Sequence, residues 1–570
     1  MIEFIKKEYK YLLILLLVLV ISIAFFWLKQ INVFIDIGRE FYIPSQMNKG
    51  FVLYKDILNV YSPLSYQSNA FLFKIFGESI SILYNFTVLN TFVIIFGVYA
   101  LAREFLDRNY SLLVSVLMIA LYVVTESVFN YCFPYTFSTP YAISSFLFSV
   151  FCLVKYIKNS DPKYFYLAAF FGGMSLDFKL EYILYPCVLL YVAIFIKPLK
   201  RNELLNSLIS FMLMPLFSLL ILIFQGVSFS DFSSAFNIMH KMTEAPSTQY
   251  FYQNCSGFLF SPAVMSYNLK YIIVFVVMFL AISVREKVSG SANSIDKHLA
   301  GVFSFAVIYL IFSITYKNIL LPLSIINLGL FLLSIKKIYQ DKPLFIMVLC
   351  ALIATLKSVF VFAVDTYGIF AAPFLFISSI SLFLYLYSDC EKPNIFVKSI
   401  KFNLKMVLII FIFILFYTNY RYNQDKVILS TPKGNIMVRT FVKSLHEDLI
   451  DYILKNTKQT DRIVILPETP FLNFVTDRPS HNFYMSLIPV YVDVFGEQKI
   501  ITDFKKDMPE YFILNNRDCT EYGFTYFGVN FAKKIKAFID ENYVFVKEFN
   551  NKVDVMLVYE RKDIRWKKSH

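Results

Sequence analysis

Apolar runs of about 18 residues or more recur along this chain, and each is long enough to cross about 30 Å of hydrocarbon as a helix. The first, "YLLILLLVLVISIAFFWL" from Tyr11 to Leu28, is too long for the core of a signal peptide, and no small-residue cleavage site follows it. It reads as a retained first span. Composition agrees. The chain is 57% hydrophobic and only 17% charged, whereas soluble domains sit nearer a quarter charged. Mean hydropathy is +0.58.

Reading the apolar runs between charged or Pro/Gly breaks gives about thirteen helices, at roughly 11–29, 80–101, 111–128, 138–157, 164–177, 180–197, 204–225, 269–284, 299–316, 318–335, 344–363, 368–388 and 404–419. The net charge of +13 could suggest a nucleic-acid partner, but the basic residues cluster in short loops between spans, where orientation rules put them. No nucleic acid is expected. With Lys6, Lys7 and Lys10 in the cytoplasm, successive cytoplasmic loops carry Arg103 and Arg108, then Lys155, Lys158 and Lys163, then Lys197, Lys200 and Arg201. Lys336, Lys337 and Lys342, and later Lys392 to Lys405, continue the series. The loop from about Thr125 to Pro140 has neither Lys nor Arg. An odd number of crossings then places everything after about Thr418 outside.

The fold class expected is therefore a polytopic α-helical membrane protein with about 13 transmembrane helices and a C-terminal soluble α/β domain. The membrane domain spans 1–419, with a first extracytoplasmic loop at about 30–79, and residues 420–570 form the exterior domain. That tail alternates strand-like runs, "DRIVILP", "EYFILNN", "YVFVKEF" and "VDVMLVYE", with helix-like runs, "MVRTFVKSLHEDLIDYILKNT" and "NFAKKIKAFIDEN". Of seven cysteines, Cys152, Cys187 and Cys350 fall inside apolar spans and read as packing residues. Cys132 and Cys255 fall in exterior loops, where a disulfide between them is possible.

The first loop opens with "INVFIDIGREFYIPSQMNKG". A helix over 36–48 would set Asp36 and Glu40 on one face at i,i+4 and would lie flat on the membrane surface, although Pro44 disfavours its interior. From spacing alone, both carboxylates are better explained as solvated groups at a helix start, paired with Arg39.

The wider pattern, with Asp36, Gly50, Pro63, Leu64, Tyr66, Phe76 and Gly77, resembles the first loop of GT-C membrane glycosyltransferases, in particular glycosyltransferase family 39, the protein mannosyltransferases and the lipid A aminoarabinose transferases. "GGMSLDFKLEY" is similar to a Gly…Lys segment of these families and carries over to Lys179. "TDRPSHNFY" is similar to an Arg-Pro element in some members' tails. The chain departs from the family in having Tyr61 and Ser62, not Glu-Lys, before Pro63. It also has Tyr367 in "DTYGIFAAP" where relatives carry Arg-Tyr, with Lys357 nearby.

The resemblance implies transfer of a sugar from a polyprenyl-phosphate donor to a hydroxyl of a glycan, lipid or protein acceptor, with inversion, on the exterior side of a bacterial inner (plasma) membrane. Such chemistry needs a carboxylate to take the acceptor proton, for which Asp36 is the candidate, with Glu40 as helper. It needs cations for the departing phosphate; the pool is Arg39, Lys179, Lys357, Lys317 and Arg421. Lys317 and Lys357 are equally well read as snorkelling helix-end residues, and Lys179 as a partner of Asp177 or Glu181. Tyr61, Tyr66 and Tyr367 are candidates to contact donor or acceptor. With five histidines and no paired spacing, no tightly bound metal is expected, and no cofactor. The competing reading is a transporter or flippase of lipid-linked sugars, which should show ionisable residues at mid-membrane depth or broken helices in related halves.

Overall fold

The computed structural model describes residues 2–29, 37–126, 129–254, 320–356, 369–388 and 395–569. Asp36, Lys317, Lys357 and Tyr367 lie outside the described residues, as do the expected spans at 269–284 and 299–316 and residue Cys255.

The chain begins with α1 (Ile2–Phe26), and the first loop folds into α2 (Ile37–Asn48) and α3 (Leu64–Phe76). The apolar series continues with α4 (Ile80–Ala102), α5 (Arg108–Ile119), α6 (Ser138–Asn159), α7 (Pro162–Phe178), α8 (Tyr185–Tyr191) and α9 (Arg201–Phe224). Two shorter helices, α10 (Phe229–Glu244) and α11 (Pro246–Asn254), follow. Then come α12 (Leu320–Ile338), α13 (Lys342–Ala354), α14 (Ala372–Ser388) and α15 (Ile395–Tyr422). Among the described residues, α1, α4, α6 and α9 are each long and apolar enough to cross a membrane.

α9 exposes Leu205, Leu208, Ile209, Leu213 and Leu220 along its length, as a helix facing lipid would. Its other side meets α7 backbone to backbone. A Cβ on Gly173 would stand 1.8 Å from the Phe211 carbonyl oxygen, so only glycine permits this approach. The expected single span at 180–197 is instead broken into a 3-10 turn (Leu180–Tyr182), α8 and a π turn (Val192–Ile196). Pro186 explains part of the break, because it lacks an N–H and fits only the first turn of a helix.

The C-terminal segment starts with a hairpin, β1 (Lys426–Thr431) and β2 (Gly434–Arg439), leading into α16 (Thr440–Asn456). The helical pattern begins at Met437, but the chain remains extended through Arg439 because Val438 pairs with Val427 across the hairpin. Next come β3 (Ile463–Leu466), α17 (Pro470–Thr476), α18 (Pro489–Phe495), α19 (Glu497–Lys506) and β4 (Tyr511–Asn515). α20 (Lys533–Asn542), β5 (Tyr543–Asn550), β6 (Val555–Arg561) and α21 (Lys562–Ser569) complete the chain. The four-stranded sheet has the order β3-β4-β6-β5, with β3 and β4 parallel and the remaining pairs antiparallel.

α2 does not lie open on a membrane surface. Ile37, Gly38 and every residue from Glu40 to Gln46 are buried. α17 covers it: Phe474 stacks on Phe41 at 5.2 Å and on Phe73 of α3 at 5.7 Å. A Cβ on Gly38 would stand 2.3 Å from the Phe471 backbone nitrogen, so glycine sets how closely these helices meet. Packing on both sides holds the helix through Pro44, which removes the hydrogen bond to the Glu40 carbonyl.

Candidate functional site

Glu40 lies at the centre of the first loop, 1% exposed. Its Oε1 accepts the Tyr66 hydroxyl of α3 at 2.8 Å. Its Oε2 accepts the Thr136 hydroxyl and the Phe137 backbone N–H, each at 3.2 Å. One carboxylate thus ties α2 and α3 to the turn that starts α6. Burial and the Glu40 charge push the Tyr66 hydroxyl well above the ordinary tyrosine value, so Tyr66 stays a donor.

Arg39 precedes it and is held differently. Its Nη2 stands 3.5 Å from Glu40 Oε1, and its guanidinium lies over the Tyr61 ring at 4.7 Å. Nε is buried without a hydrogen-bond partner. Burial works against this charge, but the surrounding Tyr66, Tyr61 and Glu40 outweigh it and hold the guanidinium well above its ordinary value. Tyr491 of α18 also contributes to that field. Tyr61 itself is 47% exposed, and its carbonyl accepts the Tyr54 hydroxyl at 2.5 Å and the Asn59 amide at 2.7 Å. The loop thereby presents a cation on an aromatic face at its open side.

Lys179 ends α7 in extended backbone. Its Nζ pairs with Glu181 at 3.2 Å and sits 5.1 Å from the Phe370 ring. Arg421 is exposed on the last turn of α15, and among the described residues no recorded contact joins it to Arg39, Glu40 or Lys179. Of the sequence-derived candidates, Arg39, Glu40, Tyr61 and Tyr66 are in direct contact; Lys179 is one neighbour away, because Tyr252 feels the charge of both Tyr61 and Glu181, and Arg421 lies exposed on the last turn of α15. No group of three His, Cys, Asp or Glu side chains suited to a metal gathers among the described residues.

Sequence reasoning missed Thr136 and Phe137 as partners of Glu40. Only the lack of Lys and Arg in their loop hinted at a role, and a backbone N–H leaves no trace in sequence. The Arg-Pro element has a structural use. The Ser480 N–H donates to the Tyr42 hydroxyl oxygen at 2.7 Å, and that hydroxyl donates to Asn482 Oδ1 at 2.9 Å. Lys49 pairs with Asp477 at 2.6 Å. Arg478 turns inward, donating to Thr457 and to the Thr476 carbonyl.

Residues 62–225 match the family model described as dolichyl-phosphate-mannose-protein mannosyltransferase. The chain resembles the GT-C membrane glycosyltransferases. Solved structures similar to it include the archaeal oligosaccharyltransferase AglB from Archaeoglobus fulgidus in complex with an inhibitory peptide and a dolichol-phosphate. That likeness has a TM-score of 0.48 at 13% identity and covers 89% of this chain and 70% of that one. ArnT from Cupriavidus metallidurans bound to undecaprenyl phosphate is similar with a TM-score of 0.45 at 11% identity, covering 97% of this chain and 98% of that one. No curated protein matches the sequence.

Proposed function

We propose that this chain is an inverting glycosyltransferase that moves one sugar from a polyprenyl-phosphate donor to an acceptor hydroxyl on the exterior side of a bacterial inner membrane. The observation that carries the reading is Arg39: a partly buried guanidinium over Tyr61, with Nε unpartnered, three residues after Asp36 in the loop that bears the GT-C motifs. The solved structures similar to it hold dolichol-phosphate and undecaprenyl phosphate, ligands of the same chemistry.

In the reaction the acceptor oxygen attacks the anomeric carbon as the bond from that carbon to the phosphate oxygen breaks. The acceptor proton goes to the Asp36 carboxylate. Polyprenyl phosphate leaves with the electron pair and gains one negative charge, which Arg39 stabilises, with Lys179 as a second cation and Arg421, Lys317 and Lys357 as the rest of the candidate pool. Tyr61 is the aromatic face for a sugar ring, with Tyr66 supporting Glu40 and Tyr367 as a further contact. Both oxygens of Glu40 already accept hydrogen bonds. Its role in this reading is to position Arg39 and the loop.

Arg39→Gln tests the assignment. Polyprenyl phosphate binding to the purified chain should weaken, and sugar transfer should fall by about a hundredfold, with the thermal transition unchanged. Unchanged binding and transfer would remove Arg39 from the site.

A further inference from the structure

The opposite end of the helical bundle holds a second basin. Phe137, at the start of α6, touches Glu40, and the length of that helix carries Ile157 roughly 30 Å away. There the ends of α6, the π turn at 192–196, α13 and α14 border an open depression of about 580 Å³. Lys197, Lys342, Asp341, Gln340, Ile196 and Tyr385 are among its lining residues.

The charge balance in this basin is positive. Lys197 Nζ donates to the Ile157 carbonyl at 2.9 Å, which uses one of its three N–H groups. Lys342 sits over the Tyr339 ring. A third cation, Lys337, stands 5.7 Å from the ring of the lining Tyr385. The lining acid, Asp341, is turned to the start of α13, where its Oδ1 accepts the Leu344 N–H at 3.1 Å. The amino end of that 13-residue helix adds its own partial positive charge.

The segment that brings Lys197 to the basin also carries an exposed apolar path. Leu190, Ile194 and Phe195, on the broken segment that ends at Lys197, are 51%, 52% and 66% exposed. A ligand that fits both features has a phosphodiester anion at the water boundary and an acyl chain descending along the helix flank. A soluble anion would leave the apolar path bare, and a neutral lipid would leave the lysines unmatched.

We propose that this basin is a binding site for an anionic phospholipid, with Lys197 and Lys342 on its phosphate. The site is separate from Arg39 and does not depend on the transferase reading.

Native mass spectrometry of the full chain with added phosphatidylglycerol or phosphatidylcholine of equal chain length tests it. Wild type should retain phosphatidylglycerol in preference, and K197E/K342E should reduce that retention about tenfold or more without changing phosphatidylcholine retention. Equal retention of phosphatidylglycerol by the variant overturns the proposal. A photoreactive p-benzoylphenylalanine at exposed Gln340 of the otherwise native chain gives a second readout should the double variant fail to fold. It should crosslink phosphatidylglycerol, and excess inorganic phosphate should not prevent this. Crosslinking abolished by phosphate, or equal for both lipids, overturns the assignment to a lipid.

Discussion

Two buried glutamates, at opposite ends of the helical bundle, solve one physical problem differently. Glu8 on α1 is 3% exposed and Glu40 on α2 is 1% exposed. Each accepts a tyrosine hydroxyl at 2.8 Å, from Tyr99 and Tyr66 respectively. Glu8 then meets two arginines, Arg103 at 3.3 Å and Arg108 at 3.1 Å, which pin α1 to α4 and α5. Glu40 is satisfied mainly by neutral donors, and its one arginine stands back at 3.5 Å over an exposed tyrosine. A buried carboxylate with two close cations is locked. Arg39 and Arg103 both keep a buried Nε without a partner, so the two ends differ in the number of cations on the carboxylate and in the exposed ring beneath the Arg39 guanidinium. The first end is held by two ion pairs, and the second is the end where the proposed donor site lies.

The contrast breaks if the two arginine sites respond alike. Beside the hundredfold loss of transfer expected for Arg39→Gln at nearly native stability, Glu8→Gln should do the reverse. It leaves Arg103 and Arg108 without their carboxylate and should destabilise the chain by about 3 kcal/mol, read as a lowered thermal transition. Correctly folded material should retain the transfer rate. A smaller effect is expected where the C-terminal segment meets the site. Gly38→Ala pushes a methyl group into the Phe471 backbone and should cost about 2 kcal/mol, with increased proteolysis at the junction of α2 and α17.

The smallest effect distinguishes the C-terminal segment by its pH response. Burial lowers His446 to about 4, and burial with the nearby Arg462 lowers His481 to about 4. The unfolded chain binds these protons near pH 6.5. Their contribution is therefore fully present above about 6.5 and is lost as pH falls from there through 4. At pH 5.5 the loss is about 1 kcal/mol per histidine. His446→Gln should flatten the stability profile between those values, as followed by tyrosine fluorescence of the segment; an unchanged slope would show that His446 is solvated.

Periodicity placed what depends on local sequence. The strands at 463–466, 511–515, 543–550 and 555–561 stand within runs legible as alternating or apolar, and α2 follows Asp36 as the i,i+4 spacing suggested. What was not legible depends on contacts distant in sequence. Nothing local in "PFLNFVT" says that Phe474 covers Phe41, and nothing in Lys49 points to Asp477 across 428 residues. The hairpin at 426–439 was hidden because its strands are six residues each and run straight into a helical pattern. At the site, spacing singled out Glu40 beside Asp36, and the resemblance to the GT-C first loop brought out Arg39 and Tyr66. Their division of labour was not visible, because it rests on which donors surround each group.

The most direct measurement is an in vitro transfer assay with polyprenyl-phosphate sugars, using the purified chain reconstituted in liposomes beside its Asp36→Asn variant. Wild type should cleave the sugar–phosphate bond, with an inverted product, and the folded variant should lose about a thousandfold. Movement of the intact lipid-linked sugar across the bilayer, with no bond cleaved and no difference at Asp36, would contradict it and make the chain a transporter.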